Sequence, residues 1–284
     1  MSLPTRLLLL TTLTMVAFAG NSILNRLALA DGEIGAGNFA IIRVVSGAVV
    51  LVILVALRSE SSAAPRTINP TSVAALAAYL LGFSYAYITL PAGLGALILF
   101  GGVQITMFAG ALIRREAITP TRWFGAALAF GGVVLLLSPG TTAPSFAGSI
   151  LMAIAAIGWG IYSLIGRTAT DPLDQTRTNF IWATPIVAVV ALIFADTTAM
   201  TPTGIALAIA SGAITSGLGY ALWYTVLPKL ETVTAAVAQL TVPAIAMAGG
   251  MLLLNEPLTL RFVVATLLIA SGVIVASRKP KHAA

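Results

Sequence analysis

Residues 256–273, EPLTLRFVVATLLIASGV, can be laid on residues 116–133, EAITPTRWFGAALAFGGV, with a shift of 140. Glu116 then meets Glu256, Thr119 meets Thr259, Leu128 meets Leu268, and Gly132-Val133 meets Gly272-Val273. At the same shift Gly20 meets Gly160 and Leu24 meets Leu164. The identities are sparse, and apolar sequences align easily. Their weight comes from position: Glu-x-x-Thr falls between the fourth and fifth apolar runs of each half of the chain.

The surrounding composition says what those runs are. Of 284 residues, 58% are hydrophobic and only 8% charged, against about 25% charged in a soluble domain. Such a chain has lipid for most of its solvent. Apolar runs of about 18 to 22 residues are long enough to cross a hydrocarbon core of roughly 30 Å. Ten are found, near 6–29, 37–57, 70–90, 93–113, 121–138, 146–166, 178–195, 202–225, 230–254 and 259–277. The separators carry Pro, Asp or Arg and are too short for a soluble domain, so neighbouring helices are antiparallel. The first run resembles a secretory leader with Ala17-Phe18-Ala19 as its cleavage site. Its apolar pattern continues to Ala30, so a retained helix is expected instead.

Five runs per half is an odd number, so the second half enters the membrane the other way up. The expected fold is an all-α integral membrane protein with ten transmembrane helices. They form two inverted five-helix repeats, residues 1–140 and 145–284, around a central cavity. Placing the N-terminus in the cytoplasm puts Arg6, Arg58, Arg66, Arg114, Arg115, Arg122, Arg167, Arg177, Lys229, Arg278, Lys279 and Lys281 on the inner side. Only Arg26 and Arg261 fall outside, and Arg43 lies within a span. That is the positive-inside bias, and it supports the span count independently. The basic residues come singly or in pairs without interleaved aromatics, so no nucleic-acid partner is expected.

Each half ends in Leu-x-x-x-Glu-x-[Leu/Ile]-Thr before a Gly-rich final helix, at Leu112–Thr119 and Leu252–Thr259. Two such five-helix units resemble the drug/metabolite transporter superfamily, in its ten-helix EamA-type branch. The stretch 227–259, LPKLETVTAAVAQLTVPAIAMAGGMLLLNEPLT, is the closer match; the first half lacks a proline in span four to match Pro243. Within that family the chain looks most like bacterial exporters of amino acids, the aromatic ones included. The resemblance implies the bacterial inner membrane, both termini cytoplasmic, no cofactor, and a small-molecule substrate. The chain would act as monomer or homodimer in the lipid bilayer.

Polar side chains in mid-span should face a cavity or another helix. Read at helical spacing, span one presents Thr11, Thr14, Phe18, Asn21 and Asn25 on one stripe. The expected substrate-binding residues are Asn21, Tyr79, Phe83, Gln104, Trp159, Tyr162, Ser163, Tyr220, Trp223, Gln239 and Pro243. Pro243 would free the carbonyl of Gln239 four residues earlier and soften span nine. Packing between helices is the competing role for the small residues, and an aromatic belt for Tyr220 and Trp223.

Absences narrow the chemistry. All nine acidic residues sit at span ends or in loops, and the single histidine, His282, is in the tail. No mid-membrane carboxylate or imidazole is available as a proton relay. The small multidrug-resistance relatives of the superfamily carry a membrane-embedded Glu in their first helix, where this chain offers Asn21. With no Cys, no internal His and no buried acid pair, an enzyme is not expected, nor a metal site. Arg43 is expected to snorkel or to pair with Glu256 or Glu33, the alternative being a substrate carboxylate at the outer mouth. The expected cavity is thus neutral, aromatic and amide-bearing, suited to uncharged or zwitterionic solutes. Alternating access is favoured over a channel-like or purely structural role.

Overall fold

The computed structural model describes residues 3–58, 68–113, 115, 118–140, 143–167, 169–194, 197–230, 235 and 238–276. Glu116 of the repeat motif lies outside them, as do Arg66, Arg114, Arg278, Lys279 and Lys281 of the basic set. Glu60, Asp196, Glu231 and His282 lie outside them as well.

Helices begin where the sequence supplies a cap. Asn69, Thr119, Asp171 and Thr201 each accept a hydrogen bond from the backbone N–H three residues on, and each is followed by proline at the first helical position. The cap satisfies one orphan donor and proline removes another, so the start is held twice over. These starts open α3 (Pro70–Ala86), α5 (Pro120–Leu137), α7 (Pro172–Ile193) and α8 (Pro202–Lys229). The other helices are α1 (Leu3–Ala30), α2 (Ala36–Ala56), α4 (Ala92–Ile113), α6 (Phe146–Gly166), α9 (Thr241–Leu254) and α10 (Leu260–Ala276). Seven helices are long and apolar enough to cross a membrane, and α3, α9 and α10 are shorter apolar helices. No strand occurs among the described residues.

Two helices are irregular. Residues Ser211–Leu218 of α8 adopt a π-helix. Gln239 is helical, Leu240 turns, and α9 restarts at Thr241. Pro243 therefore stands in the first turn of a new helix, where its missing N–H would have had no partner. The expectation that it frees the Gln239 carbonyl within one continuous span does not hold, because the chain is already interrupted at Leu240.

The protein is inside-out relative to a soluble one. Leu8, Val49, Phe130, Ile157, Val189, Leu252 and Leu267 are exposed, whereas Thr14, Asn21, Asn25, Arg43, Ser84, Asn179 and Ser216 are buried. That inversion is what a bilayer demands: apolar surface costs nothing there, and every polar group must be satisfied within the protein.

Packing joins α5 to α10, α2 to α7, α4 to α9, α3 to α6, α1 to α8, α4 to α6, α1 to α9, α3 to α7 and α2 to α8. Glycines set the closest approaches. A Cβ on Gly158 of α6 would lie 2.6 Å from the Ala75 carbonyl oxygen of α3, and one on Gly82 would lie 2.6 Å from the Leu151 carbonyl oxygen. On α5 and α10, Gly125 and Gly272 lie backbone against backbone. Small residues let helices come this close, and lipid supplies no hydrophobic drive to replace the contact.

Interloop bonds sort the loops to two ends. The linkers α1–α2 and α7–α8 meet through Thr201 and Glu33, the Thr201 N–H donating to the Glu33 carbonyl at 2.9 Å. Arg261 donates to the Ser138 and Pro139 carbonyls, the latter at 3.3 Å. At the other end Arg58 pairs with Asp171 at 3.1 Å. Gly158→Leu is expected to overpack the α3–α6 contact and to lower stability by about 1–3 kcal/mol. Gly131→Leu, where a Cβ meets nothing within 4 Å, should leave stability unchanged. Thermal unfolding of both variants in detergent checks this.

Candidate functional site

The polar stripe of α1 is the buried face of that helix, and its amides tie α1 to α3 and α8. The Asn21 Oδ1 accepts from Ser211 Oγ at 2.7 Å and Thr215 Oγ1 at 3.0 Å, while its Nδ2 donates to the Tyr79 hydroxyl at 3.3 Å. One turn on, Asn25 Nδ2 donates to Ser211 Oγ at 3.2 Å, and Asn25 Oδ1 accepts from Ser84 at 3.3 Å. The π-helical segment makes this possible. Its i→i+5 bonding widens the turn, so Ser211, Thr215 and Ser216 all project toward α1 and α2.

Beside this network lies a chamber walled by Phe18, Asn21, Tyr79, Phe83, Leu99, Phe100, Trp159 and Tyr220. Its rings interlock. Trp159 meets Tyr79 and Tyr220, each at 4.9 Å between centroids, and Phe18 meets Trp159 and Tyr220 edge-on at 6.0 Å. The free volume is about 10 Å³, room for at most one water molecule. In this conformation the chamber is closed to any organic solute.

Arg43 is the largest departure from expectation. It neither snorkels nor pairs with Glu256 or Glu33; it is 0% exposed. Its Nε donates to Ser216 Oγ at 3.2 Å and its Nη2 to the Tyr79 hydroxyl at 3.0 Å. The guanidinium carbon sits 5.2 Å from the Tyr79 ring centroid and 4.8 Å from that of Phe83. Counting turns from the end of a span misplaced it, because the face of α2 that carries Arg43 is covered by α3, α7 and α8. A charge therefore stands directly behind the Tyr79 and Phe83 wall of the chamber.

Of the residues singled out from the sequence, Asn21, Tyr79, Phe83, Trp159 and Tyr220 line the chamber. Two stand behind it: Tyr162 stacks on Trp159 at 5.7 Å and donates to Thr176 Oγ1 at 3.2 Å, and Trp223 packs on Phe18 at 5.8 Å. Tyr220 and Trp223 are buried and form no interfacial belt. Gln104, Ser163 and Gln239 are half-buried and away from the chamber wall, and Pro243 is buried in α9 without lining it. Sequence reasoning missed Leu99, Phe100 and the Ser211 and Thr215 hydroxyls as parts of the site, whereas Ser216 falls on the polar face read for span eight. The Ser211-Gly212 and Ser216-Gly217 pairs were the available signal for the hydroxyls; two apolar residues within an apolar run carry none.

The closed chamber is latched at one end by Glu256, between α9 and α10. Both its oxygens accept from the Ala92 N–H that opens α4, at 3.0 and 2.8 Å, and Oε1 lies 3.3 Å from Arg26 Nε. Arg26 also donates to the Tyr87 and Ile88 carbonyls at 3.1 and 2.8 Å, joining α1 to the α3–α4 turn. Asn255, in the left-handed region at φ 53°, turns the chain so that Glu256 reaches back. Among the described residues no group of three or more His, Asp or Glu could hold a metal.

Burial pushes the Glu256 carboxyl above its ordinary value of 4.5, against the lowering by the Ala92 amide and Arg26. A raised folded-state pKa means the folded protein holds this proton more tightly than the unfolded chain. Its contribution to stability is full below 4.5 and falls as pH rises through the raised value. Glu256→Gln keeps an acceptor for Ala92 and should lack that slope, which thermal unfolding from pH 4 to 8 measures. Asn21→Leu removes the acceptor of the Ser211 hydroxyl proton, while Thr215 keeps its bond to the Ser211 carbonyl, and the same measurement should show a loss of about 1–2 kcal/mol.

Comparison with known proteins fits this geometry. The model of the EamA-like transporter family matches residues 146–278. An uncharacterized protein of Pseudomonas aeruginosa is 44% identical over 268 residues, 94% of this chain and 93% of that protein. An uncharacterized transporter of Archaeoglobus fulgidus is 25% identical over 283 residues, covering 95% and 97%. A probable amino-acid metabolite efflux pump of Escherichia coli is 26% identical over 201 residues, covering 66% and 67%. A solved crystal structure, 17% identical, superposes with a TM-score of 0.64 over 93% of this chain and 96% of that one, a likeness of fold. Family members and relatives carry the names of transporters and efflux pumps rather than enzymes. An apolar, all-helical exterior wrapped around a polar and aromatic centre is how such a protein is built, and the chain belongs to the EamA-like transporter family.

Proposed function

We propose that the protein exports small neutral or zwitterionic metabolites, amino acids and aromatic ones among them, by alternating access. Residues 1–140 and 145–284 act as two inverted five-helix repeats in a ten-span fold. The location is the bacterial inner membrane, with both termini in the cytoplasm. The observation that carries this reading is the closed aromatic chamber, whose walls come from α1, α3, α4, α6 and α8. A site of about 10 Å³ serves a solute only if those helices separate.

Helix pairing supports the symmetry. Exchange of each helix with the one five places along carries α3–α6 onto α8–α1, α4–α6 onto α9–α1 and α2–α8 onto α7–α3. It returns α2–α7, α4–α9 and α5–α10 to themselves. The interruptions in α8 and at Leu240 are further support, since broken helices mark the moving, substrate-facing parts of transporters. The efflux-pump relatives bear on the amino-acid reading. No described carboxylate lies in mid-span, so transport is facilitated or by exchange, or couples to protons only through carboxylates at the ends of helices.

Purified protein in liposomes should take up one or more members of an L-amino-acid panel without an imposed pH gradient. Strict dependence on that gradient, abolished by substitution of no single acid at the end of a span, would overturn the account of coupling. The chain has no native Cys, so single cysteines at Leu99, Phe100 and Trp159 in the chamber wall report access directly. Labelling from one side at a time is expected; labelling from both sides at once would indicate a channel, and none at all packed helices.

A further inference from the structure

The chamber wall holds more hydrogen-bond donors than acceptors. The Tyr79 oxygen accepts from Asn21 Nδ2 at 3.3 Å and from Arg43 Nη2 at 3.0 Å, so its own proton is left for another acceptor. Tyr220 also lines the chamber, and its buried hydroxyl, beside that of Tyr79, makes no hydrogen bond within 3.5 Å. Arg43 Nη1 is buried without a partner too. The one amide oxygen in the wall, Asn21 Oδ1, is already occupied by Ser211 and Thr215.

The imbalance is one of charge as well. A guanidinium stays protonated in any protein environment. Arg43 is 0% exposed, and among the described residues no carboxylate forms an ion pair with it. Its partners are a serine hydroxyl, a phenol and two ring faces, which stabilise a cation without neutralising it. A buried charge without a counterion is expensive, and in a membrane it marks a substrate pathway more often than a structural tie. No lining residue carries a negative charge that an ammonium group would need.

We infer that Arg43, Tyr79 and Tyr220 form an anion subsite, and that the solute is a carboxylate on an apolar or aromatic body. The carboxylate is the required group and the α-ammonium is dispensable. This rests on the reading of the chamber as the transport site. The rings of Phe18, Phe83, Phe100 and Trp159 receive the body of the solute. The two phenols donate to its carboxylate, and Arg43, one side chain behind them, supplies the charge. In the low dielectric of the chamber that attraction is far stronger than in water.

The test is a binding series on the purified full chain, followed by tryptophan fluorescence, with Trp159 in the wall as the reporter. The probes are L-phenylalanine, 3-phenylpropanoate and L-phenylalaninamide. The two acids should bind within roughly threefold of each other, and the amide at least about tenfold more weakly. Arg43→Gln should erase that preference, and Arg43→Lys should keep part of it. Tyr79→Phe retains the ring and should weaken the acids while leaving the amide unchanged. Equal binding of amide and acid by the native protein would overturn the inference. So would failure of all three probes to bind, or an intact preference in a folded Arg43→Gln protein. If that variant does not fold, the native series and Tyr79→Phe decide. Binding of the acids without flux in liposomes keeps the subsite and removes the transport reading; flux blind to the carboxylate removes the subsite alone.

Discussion

Hydrocarbon offers no hydrogen bonds, so the amides of α1 and the hydroxyls of α8 must find their partners inside the protein. The contact of Asn21 with Ser211 and Thr215 meets that demand, and much else follows from it. It holds α1 against α8 and leaves Asn21 one donor to fix the Tyr79 hydroxyl, which in turn receives Arg43. Four helices, α1, α2, α3 and α8, thus meet at one polar node within an apolar body. Such a node is directional where the surrounding packing is not, and it sets how the aromatic rings stand around the chamber.

The same node explains how a chamber can be tight and yet belong to a transporter. Interlocked rings 4.9 to 6.0 Å apart give a dry wall, and its loss on opening is offset by the solute that takes its place. The ends are held by a few polar latches, Glu256 with Arg26 and Ala92, and Arg58 with Asp171. The Arg58–Asp171 pair is exposed and exchanges with water readily, whereas the Glu256 latch is largely buried. Rigidity resides elsewhere, in glycine-based contacts such as Gly125 with Gly272, where backbones meet without a side chain between them.

Much of this was legible in the residues, for reasons that can be named. Asn69-Pro70, Thr119-Pro120 and Thr201-Pro202 announce helix starts because cap and proline act locally, whereas the seventh span, expected from 178, begins six residues earlier at Pro172, because its polar first turn reads as a linker. The buried stripe of α1 follows from a period of about 3.6 residues. Asn21, Tyr79, Phe83, Trp159 and Tyr220 share the chamber because polar and aromatic groups in mid-span have few other places to go. Arg43 was misread because its depth depends on which helices enclose α2, a property of the assembly. The break at Leu240 changed the meaning of Pro243, since a proline signal alone does not distinguish a kink from a fresh start. Gln104 and Gln239 show the limit of arguing from residue type, because an amide needs a partner but does not say on which face.

The π-helical turn of α8 has one further consequence. Relative to a regular helix it absorbs an extra residue, so the chain beyond it is rotated. Each residue of an α-helix advances the face by about 100°. If the eight residues Ser211–Leu218 wound as an ordinary helix instead, Tyr220 and Trp223 would turn by roughly 100° and swing away from Phe18. The aromatic wall is therefore held in phase by the π-helical turn, which is as much a part of the site as any side chain.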